Sequence, residues 1–200
     1  MKLYYSPGAC SMASHIVACE EGLPIGLEKV DLTTHKTARG EDFTRINPKG
    51  YVPALLLDDG TLLTENTAVL PYLADAKPAA GLAPPSGTLA RAHLEEWLGY
   101  ISSEIHRAFG AVFHATSEEE RKAAREEIKR RLTYADEHLA LRPFLLGEHF
   151  TVADAYLFVM LTWLDKAKID INDFDQLPRY KDTIAGRASV RKAMKQEGLN

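Results

Sequence analysis

The chain has 200 residues, of which 46% are apolar and 26% charged, and its formal net charge is −4 at pH 7. This composition is typical of a globular protein with a sizeable core, and without a basic block it excludes nucleic acid and anionic membrane surfaces as expected partners. No signal-peptide core and no membrane-spanning apolar run is present, so we expect a cytoplasmic protein.

The chain begins with a predicted strand, turn and helix. Lys2–Tyr5 is rich in β-forming residues, 6–8 is a turn signal, and apolar residues recur at helical spacing from Met12 to Cys19. Cys10 falls at the start of this helix, where unpaired N–H groups and the helix dipole favour an anion and lower a thiol pKa. The spacing leaves two interpretations open: a reactive or sulfur-recognising thiol, and a small buried apolar side chain.

The two cysteines are not predicted to pair. Cys10 and Cys19 lie nine positions apart on one helix, about 13 Å of rise, whereas a disulfide tolerates about 7 Å between Cα atoms. Ala13 stands where a dithiol motif would place its second cysteine, which argues against an intramolecular dithiol cycle.

Strands and helices alternate over the next sixty residues. The predicted elements are a strand at Leu27–Asp31, a loop with a short helix at 33–45, strands at Ala54–Leu57 and Thr61–Thr64, and a helix from about Asn66. The order predicts a compact α/β sheet with mixed strand directions.

Everything beyond a Pro- and Gly-containing linker at 78–88 is helical in character. Predicted helices run from Leu89 to about Phe113, from a capping box at Ser117, from a second capping box at Thr151, from Pro178, and over Val190–Met194. We therefore predict an α/β domain at 1–77 and an all-helical domain at 89–200. Asp154, in the second capping box, is assigned to folding only.

Four motifs carry a family resemblance. They are Tyr4–Ser11, Asn47–Leu55, Leu63–Asn66 and Phe150–Asp154. In this order and spacing they resemble the cytosolic glutathione transferases of the bacterial beta class, which have an active-site cysteine. The resemblance covers almost the whole chain. It implies a thioredoxin-like first domain, an all-helical second domain, a homodimer, an active site between the domains, glutathione as co-substrate and no metal.

The resemblance also implies a glutathione site. Its predicted residues are Ala9, Cys10, Ser11, Val52, Pro53, Glu65, Asn66, Ser103 and Arg107. A cis Val52–Pro53 peptide would pair with the cysteinyl backbone of glutathione as an added strand does. Glu65 would accept from the γ-glutamyl ammonium, and Asn66 would offer N–H groups of a helix N-terminus to the carboxylate. Serine is more common at position 66, and an ordinary N-cap is the alternative role of Asn66.

Catalysis is assigned by the same resemblance to Cys10, beside the glutathione sulfur, and to His106, which would face it; the alternative for a lone histidine is a structural role. Gly99 stands where an asparagine would reach the other subunit's site, a contact that Ser103 would have to replace. The predicted electrophile site is aromatic and open. Its candidate residues, which are equally good core residues, are Tyr5, Pro7, Phe109, Phe113, Tyr156 and Trp163.

The leading hypothesis is a detoxifying enzyme that conjugates glutathione to small hydrophobic electrophiles. The first alternative is a glutathione-dependent thiol-disulfide oxidoreductase or peroxidase with Cys10 as nucleophile. The second is a non-catalytic protein that binds hydrophobic ligands.

Overall fold

The computed structural model describes residues 1–199, which form two compact units. Unit 1 comprises Met1–Ala80 together with the C-terminal segment that begins at Arg187, and unit 2 comprises Gly81–Gly186. The boundary at Ala80 falls inside the predicted linker. The C-terminal segment differs from the prediction of one domain over 89–200, because its helix packs on unit 1 and completes that core.

The strands all belong to unit 1. They are β1 Lys2–Tyr5, β2 Gly26–Asp31, β3 Lys36–Thr37, β4 Ala54–Leu56 and β5 Leu62–Thr64. The helices are α1 Ser11–Glu21, α2 Asn66–Ala76, α3 Leu89–Tyr100, α4 Arg107–His114, α5 Glu118–His138, α6 Val152–Thr162, α7 Leu164–Ala167, α8 Leu177–Ala185 and α9 Ala188–Glu197. Shorter 3₁₀ turns are Phe43–Arg45, Pro78–Ala80, Leu139–Leu141 and Ile171–Asp173.

The sheet is mixed, as predicted, with strand order β3-β2-β1-β4-β5. β1 pairs parallel with β2 and antiparallel with β4, so that Leu3 lies opposite Leu27 on one side and Leu55 on the other. The short helix expected within 33–45 is the 3₁₀ turn at Phe43–Arg45. β3, in the same segment, was not predicted, because two residues are too few to display an alternating pattern.

The two faces of the sheet bury different side chains. Alternate residues of a strand point to opposite faces, and Tyr4 and Val30 pack with Phe43 under one face. The helices α1, α2 and α9 complete unit 1, and α1 packs against both of the others. α1 ends where Gly22 adopts the left-handed conformation that a helix terminus requires (φ 64°).

Unit 2 is all helical, and its long first helix departs from the prediction. α3 and α4 are joined by a π-helical segment, Ile101–His106, where one continuous α-helix was expected. The spacing of the apolar residues does not distinguish a continuous α-helix from one that contains a π-helical segment. A single wider turn shifts the register but keeps the apolar residues on the buried face. The six residues of this segment include Ser103 and His106.

The other helices of unit 2 begin at caps that the sequence predicts. Ser117 and Glu120 form a capping box at α5, and Thr151 and Asp154 form a second at α6. From Val152 to Leu161 every residue of α6 is buried, as expected for the central helix of the unit. Among residues 1–199, no helix combines the length and the apolar character needed to cross a bilayer.

Candidate active site

The segment 6–10, which we call the cysteine loop, connects β1 to α1 and is stabilised by local hydrogen bonds. The Ser11 hydroxyl accepts from the Ser6 N–H at 3.2 Å and donates to the Ser6 carbonyl at 3.4 Å. The Ala9 N–H donates to the same carbonyl at 3.0 Å. These bonds leave Cys10 as the residue immediately before α1, while Ser11 itself is fully buried.

The Cys10 thiol donates to the Val52 carbonyl at 3.1 Å. Burial raises the pKa of this thiol to about 12, against the smaller opposing effect of the backbone N–H groups of Cys10 and Ser11. The expectation of a lowered pKa at the helix N-terminus is therefore wrong for this conformation. Cys10 is a neutral thiol near pH 7 and acts as a hydrogen-bond donor.

The Val52–Pro53 peptide is cis, as the motif predicts. It lies immediately before β4, and both residues are buried. The bond from Cys10 to Val52 brings this peptide and the cysteine loop together at one end of the sheet.

Glu65 precedes α2 in an unusual backbone conformation, with φ 72° and ψ 126°. A non-glycine residue there is strained, and such residues are enriched at functional sites. Its carboxylate is exposed and accepts from the Lys49 ammonium at 2.6 Å; Lys49 also donates to the Thr64 hydroxyl at 3.0 Å. Lys49 was not predicted as a site residue. Its position between Pro48 and the cis peptide motif is the sequence signal that could have indicated it.

Asn66 is the first residue of α2, so the N-cap position belongs to Glu65 and the alternative role of Asn66 as an ordinary N-cap is wrong. Its side chain is buried, with the amide donating to the Cys10 carbonyl at 3.0 Å and accepting from the Ser14 hydroxyl at 3.0 Å. The first backbone N–H groups of a helix have no partner within that helix, so this terminus can receive an anion.

A buried network continues from the cysteine loop to α9. Glu197 accepts from the Gly8 N–H at 2.9 Å and from His15 Nδ1–H at 2.9 Å, and His15 Nε2 lies 2.9 Å from the side-chain oxygen of Gln196. Burial alone would lower the pKa of His15, but hydrogen bonds to Cys19, Glu197 and Gln196 outweigh it and raise the pKa to about 9. The network thus contains an imidazolium paired with a carboxylate.

In unit 2, His106 ends the π-helical segment and shares a 2.8 Å hydrogen bond between its Nδ1 and the Tyr156 hydroxyl. Its ring also meets Trp163 edge to face at 5.1 Å. Ser103 and Arg107 lie on the same continuous helix and are exposed.

The predicted aromatic residues divide by burial. Phe109, Phe113 and Trp163 contact one another at ring separations of 5.6–6.1 Å. Phe113 is 44% exposed and Trp163 partly exposed, whereas Phe109 and Tyr156 are 0% and 2% exposed. Burial therefore favours the core alternative for Phe109 and Tyr156, and leaves Phe113 and Trp163 with surface that a ligand could contact.

Unit 1 holds the other two aromatic-site candidates. Tyr5 is buried, with its ring 6.0 Å from that of His15, and Pro7 is half-buried in the cysteine loop. Within the described part of the chain, no group of three or more His, Cys, Asp or Glu side chains is placed to hold a metal ion.

Comparison with known proteins gives a consistent answer in both halves of the chain. Residues 8–76 match the family model described as the N-terminal domain of glutathione S-transferase, and residues 118–182 match the model of its C-terminal domain. Glutathione S-transferase GstA of Escherichia coli O157:H7 is 42% identical over 200 residues, and the alignment covers 100% of both chains.

Solved structures agree with these matches. A bacterial beta class glutathione S-transferase from Sphingomonas chungbukensis superimposes with a TM-score of 0.97 at 47% identity, covering 100% of both chains. A sphingomonad glutathione S-transferase complexed with glutathione gives a TM-score of 0.96 at 48% identity, again covering 100% of both. The chain therefore belongs to the glutathione S-transferase family of enzymes, in its bacterial beta class, and has the two-domain fold and the glutathione co-substrate of that family.

Proposed function

We propose that this chain conjugates glutathione to small hydrophobic electrophiles, with Cys10 beside the glutathione sulfur. The observation that carries the proposal is the grouping, within unit 1, of a cysteine thiol, a cis Val52–Pro53 peptide and the N-terminus of α2. These are the three features that a γ-glutamyl peptide with a thiol requires: a sulfur partner, a backbone edge and an anion site.

Each part of glutathione has a partner in this proposal. The backbone of Val52 pairs with the cysteinyl residue of glutathione, as an added strand pairs with a sheet edge. The N–H groups at the start of α2 receive the γ-glutamyl carboxylate, and Glu65 accepts from the ammonium. Ala9, Ser11 and Pro53 shape the cysteine loop and the cis peptide around the ligand. Lys49 adds positive charge near the anionic ligand.

The chemistry proposed for Cys10 follows from its protonation state. When glutathione binds, the neutral Cys10 thiol exchanges its hydrogen bond to the Val52 carbonyl for one to the glutathione sulfur, and stabilises that sulfur as a thiolate. The thiolate then attacks the electrophilic carbon, a carbon–sulfur bond forms, and the leaving group departs with its electron pair. Because the neutral thiol is a poor nucleophile, the same observation favours conjugation over disulfide exchange at Cys10.

Unit 2 supplies the remaining proposed residues. Phe113 and Trp163 provide aromatic surface for the electrophile, with Tyr5 and Pro7 as further candidates from unit 1 and Phe109 and Tyr156 as the packing behind them. His106, whose Nδ1 shares a hydrogen bond with the Tyr156 hydroxyl, is the proposed group for proton transfer. Ser103 and Arg107 are the proposed polar contacts to glutathione from this unit.

The setting of this activity is also a proposal. We infer a cytoplasmic homodimer with a detoxifying role, as expected from the sequence and its family resemblance. Light scattering during gel filtration tests the assembly: a homodimer has twice the 22.2 kDa mass of the chain.

The test is Cys10→Ala, with Cys19→Ala as the matched control. Conjugation of 1-chloro-2,4-dinitrobenzene should fall about tenfold in Cys10→Ala, since one donor to the thiolate is worth about 1.4 kcal/mol, and should be unchanged in the control. Reduction of a glutathione mixed disulfide should be slow in the wild type, because the neutral thiol is a poor nucleophile; efficient reduction that vanishes in Cys10→Ala would support the oxidoreductase alternative. Complete loss of conjugation would contradict the role of Cys10 as one hydrogen-bond donor among several. Tight binding of hydrophobic ligands with no glutathione turnover in the wild type would contradict the proposal and support the alternative of a non-catalytic binding protein.

A further inference from the structure

The Asn66 side chain joins the N-termini of α1 and α2. It is 5% exposed, and both ends of its amide are used: Nδ2–H donates to the Cys10 carbonyl at 3.0 Å, and Oδ1 accepts from the Ser14 hydroxyl at 3.0 Å. Cys10 and Ser14 belong to the start and first turn of α1, whereas Asn66 begins α2. A single buried side chain thus connects the residue that opens α2 to the cysteine that precedes α1.

This connection restrains Cys10 at its backbone. The Cys10 carbonyl accepts from Asn66 and from the Ala13 N–H at 3.2 Å, and the residue adopts φ −58° and ψ −20°. With the backbone held in this way, the thiol reaches the Val52 carbonyl at 3.1 Å. The position of the sulfur therefore depends on three elements: α1, α2 and the cis peptide before β4.

The same bonds hold the start of α2. Glu65 occupies the N-cap position with a strained backbone and makes no side-chain cap hydrogen bond. In this terminus, the amide of Asn66 is directed into the protein, so residue 66 can offer an anion its backbone N–H while its side chain serves α1. A buried amide bonded at both ends costs free energy to withdraw, because its partners would lose their hydrogen bonds without gaining water.

We propose that Asn66 is a positioning residue, which fixes the distance and orientation between the anion-binding start of α2 and the Cys10 thiol. The inference rests on the proposed function, in which a γ-glutamyl thiol places its carboxylate at α2 and its sulfur beside Cys10. Asn66 then sets the spacing that selects this ligand class, and it does so without touching the ligand through its side chain.

The direct test is the rate at which iodoacetamide alkylates Cys10 in the unliganded protein, with Cys19→Ala as the background so that one thiol reacts. In Asn66→Ala, Cys10 loses its restraint, and its raised pKa should fall toward the ordinary value. Because each unit of pKa changes the thiolate fraction about tenfold, the rate at pH 8 should rise at least about fivefold, with the pH profile shifted to lower pH.

Ser14→Ala is the matched control, since it removes the other end of the connection and keeps the bond from Asn66 to Cys10. Its alkylation rate should stay within about twofold of the background protein. An unchanged rate and pH profile in a folded Asn66→Ala protein would overturn the proposal, and so would an equal effect of Ser14→Ala.

A measurement on the wild-type protein covers the case in which Asn66→Ala does not fold. The side-chain amide protons of Asn66, assigned by NMR, should be protected from hydrogen exchange, and should remain protected when glutathione is added. Loss of protection, or a large shift of the amide resonance on adding glutathione, would mean that the side chain turns to the ligand, and would overturn the proposal.

These readouts separate the inference from the proposed function. Alkylation of the unliganded protein requires no glutathione turnover. Absence of conjugation in the wild type, together with faster alkylation in Asn66→Ala, would refute the proposed function and support the restraint of Cys10. Normal conjugation in the wild type, with no change in alkylation in Asn66→Ala, would support the proposed function and refute the restraint of Cys10.

Discussion

The Glu197 carboxylate accepts a 2.9 Å hydrogen bond from the Gly8 N–H, although the two residues lie 189 positions apart. Gly8 is in the cysteine loop, two residues before Cys10, and Glu197 is the last residue of α9. At the other end of α9, Arg187 and Ser189 bind the Glu20 carboxylate near the end of α1. α9 therefore runs antiparallel to α1, and its last residue binds the backbone of the cysteine loop.

Removing this carboxylate should destabilise unit 1. Glu197→Ala leaves the Gly8 N–H without its acceptor and the His15 imidazolium buried without its counter-charge, so the free energy of unfolding should fall by about 3–5 kcal/mol. Urea titration at pH 7 measures the change. Lys195→Ala, an exposed position on the same helix, should change the stability by less than about 0.5 kcal/mol. Equal stability of the two variants would contradict the role of Glu197.

The His15 imidazolium should make stability depend on pH. Its folded pKa, about 9, lies above the ordinary value of 6.5, so folding favours the protonated form. The stabilisation is fully present below pH 6.5 and is lost as the pH rises through 9; at about 1.4 kcal/mol per unit it amounts to at most about 3 kcal/mol. Urea titrations at pH 6, 7.5 and 9.5 should show this decline in the wild type. The decline should be smaller in His15→Gln, and an identical pH dependence in the two proteins would rule out His15 as its source.

Glu21 is buried at the end of α1, and its two carboxylate oxygens have no hydrogen-bond partner among the described residues. Burial raises its pKa to about 7, with Lys77 lowering it and Asp75 raising it to smaller extents. A carboxyl with a raised folded pKa stabilises the protein below its unfolded pKa of about 4.5, and this contribution disappears as the pH rises through 7.

Glu21→Gln should therefore gain stability relative to the wild type as the pH rises. We expect a relative gain of about 1–3 kcal/mol between pH 5 and pH 8, measured by urea titration at both values. Glu119→Gln, an exposed acid in unit 2, is the control and should show no such gain. A constant difference between wild type and Glu21→Gln across this range would exclude titration of Glu21.

The structure, like the sequence, assigns Asp154 a role in stabilising the fold. Its buried carboxylate accepts from the Leu145 N–H, the Thr151 N–H and hydroxyl, and the Tyr180 hydroxyl, each at 2.8 Å. Asp154→Ala should lower the free energy of unfolding by about 2–5 kcal/mol, because it removes the α6 cap and leaves buried donors unpaired. At a temperature where the variant is folded, kcat should be that of the wild type. A stable variant without activity would show that Asp154 serves the chemistry.

Alanine substitutions of Phe113 and Phe109 should distinguish a residue that binds the electrophile from one that packs in the core. Phe113→Ala removes a partly exposed ring and should raise the KM for a hydrophobic electrophile by about three- to tenfold, with less than about 1 kcal/mol lost in stability. Phe109→Ala removes a fully buried ring and should cost about 3–5 kcal/mol of stability. Leu141→Ala, at a 90% exposed position, should change neither. An unaltered KM in Phe113→Ala would remove this residue from the electrophile site.

Local patterns were sufficient where a few neighbouring residues determine the outcome. The bounds of β1, the two capping boxes, the buried α6, the mixed sheet and the cis Val52–Pro53 peptide were all confirmed. The mixed sheet was predicted from the order of the elements and the cis peptide from the family resemblance, whereas the determinants of β1, the capping boxes and α6 lie within about ten residues: β-forming residues, an N-cap with its acidic partner and a run of apolar residues. Such features depend on backbone preferences that act before the chain is folded.

Only tertiary structure decided the properties of the site that come from distant residues. The pKa of Cys10 is set by burial, which outweighs the helix N-terminus that the sequence displays. Asn66 turns inward because Cys10 and Ser14, more than fifty positions away, offer partners for both ends of its amide. α9 completes unit 1 because Glu197 reaches Gly8 from the other end of the chain. Burial and long-range hydrogen bonds are properties of the assembled fold, and no local pattern of residues encodes them.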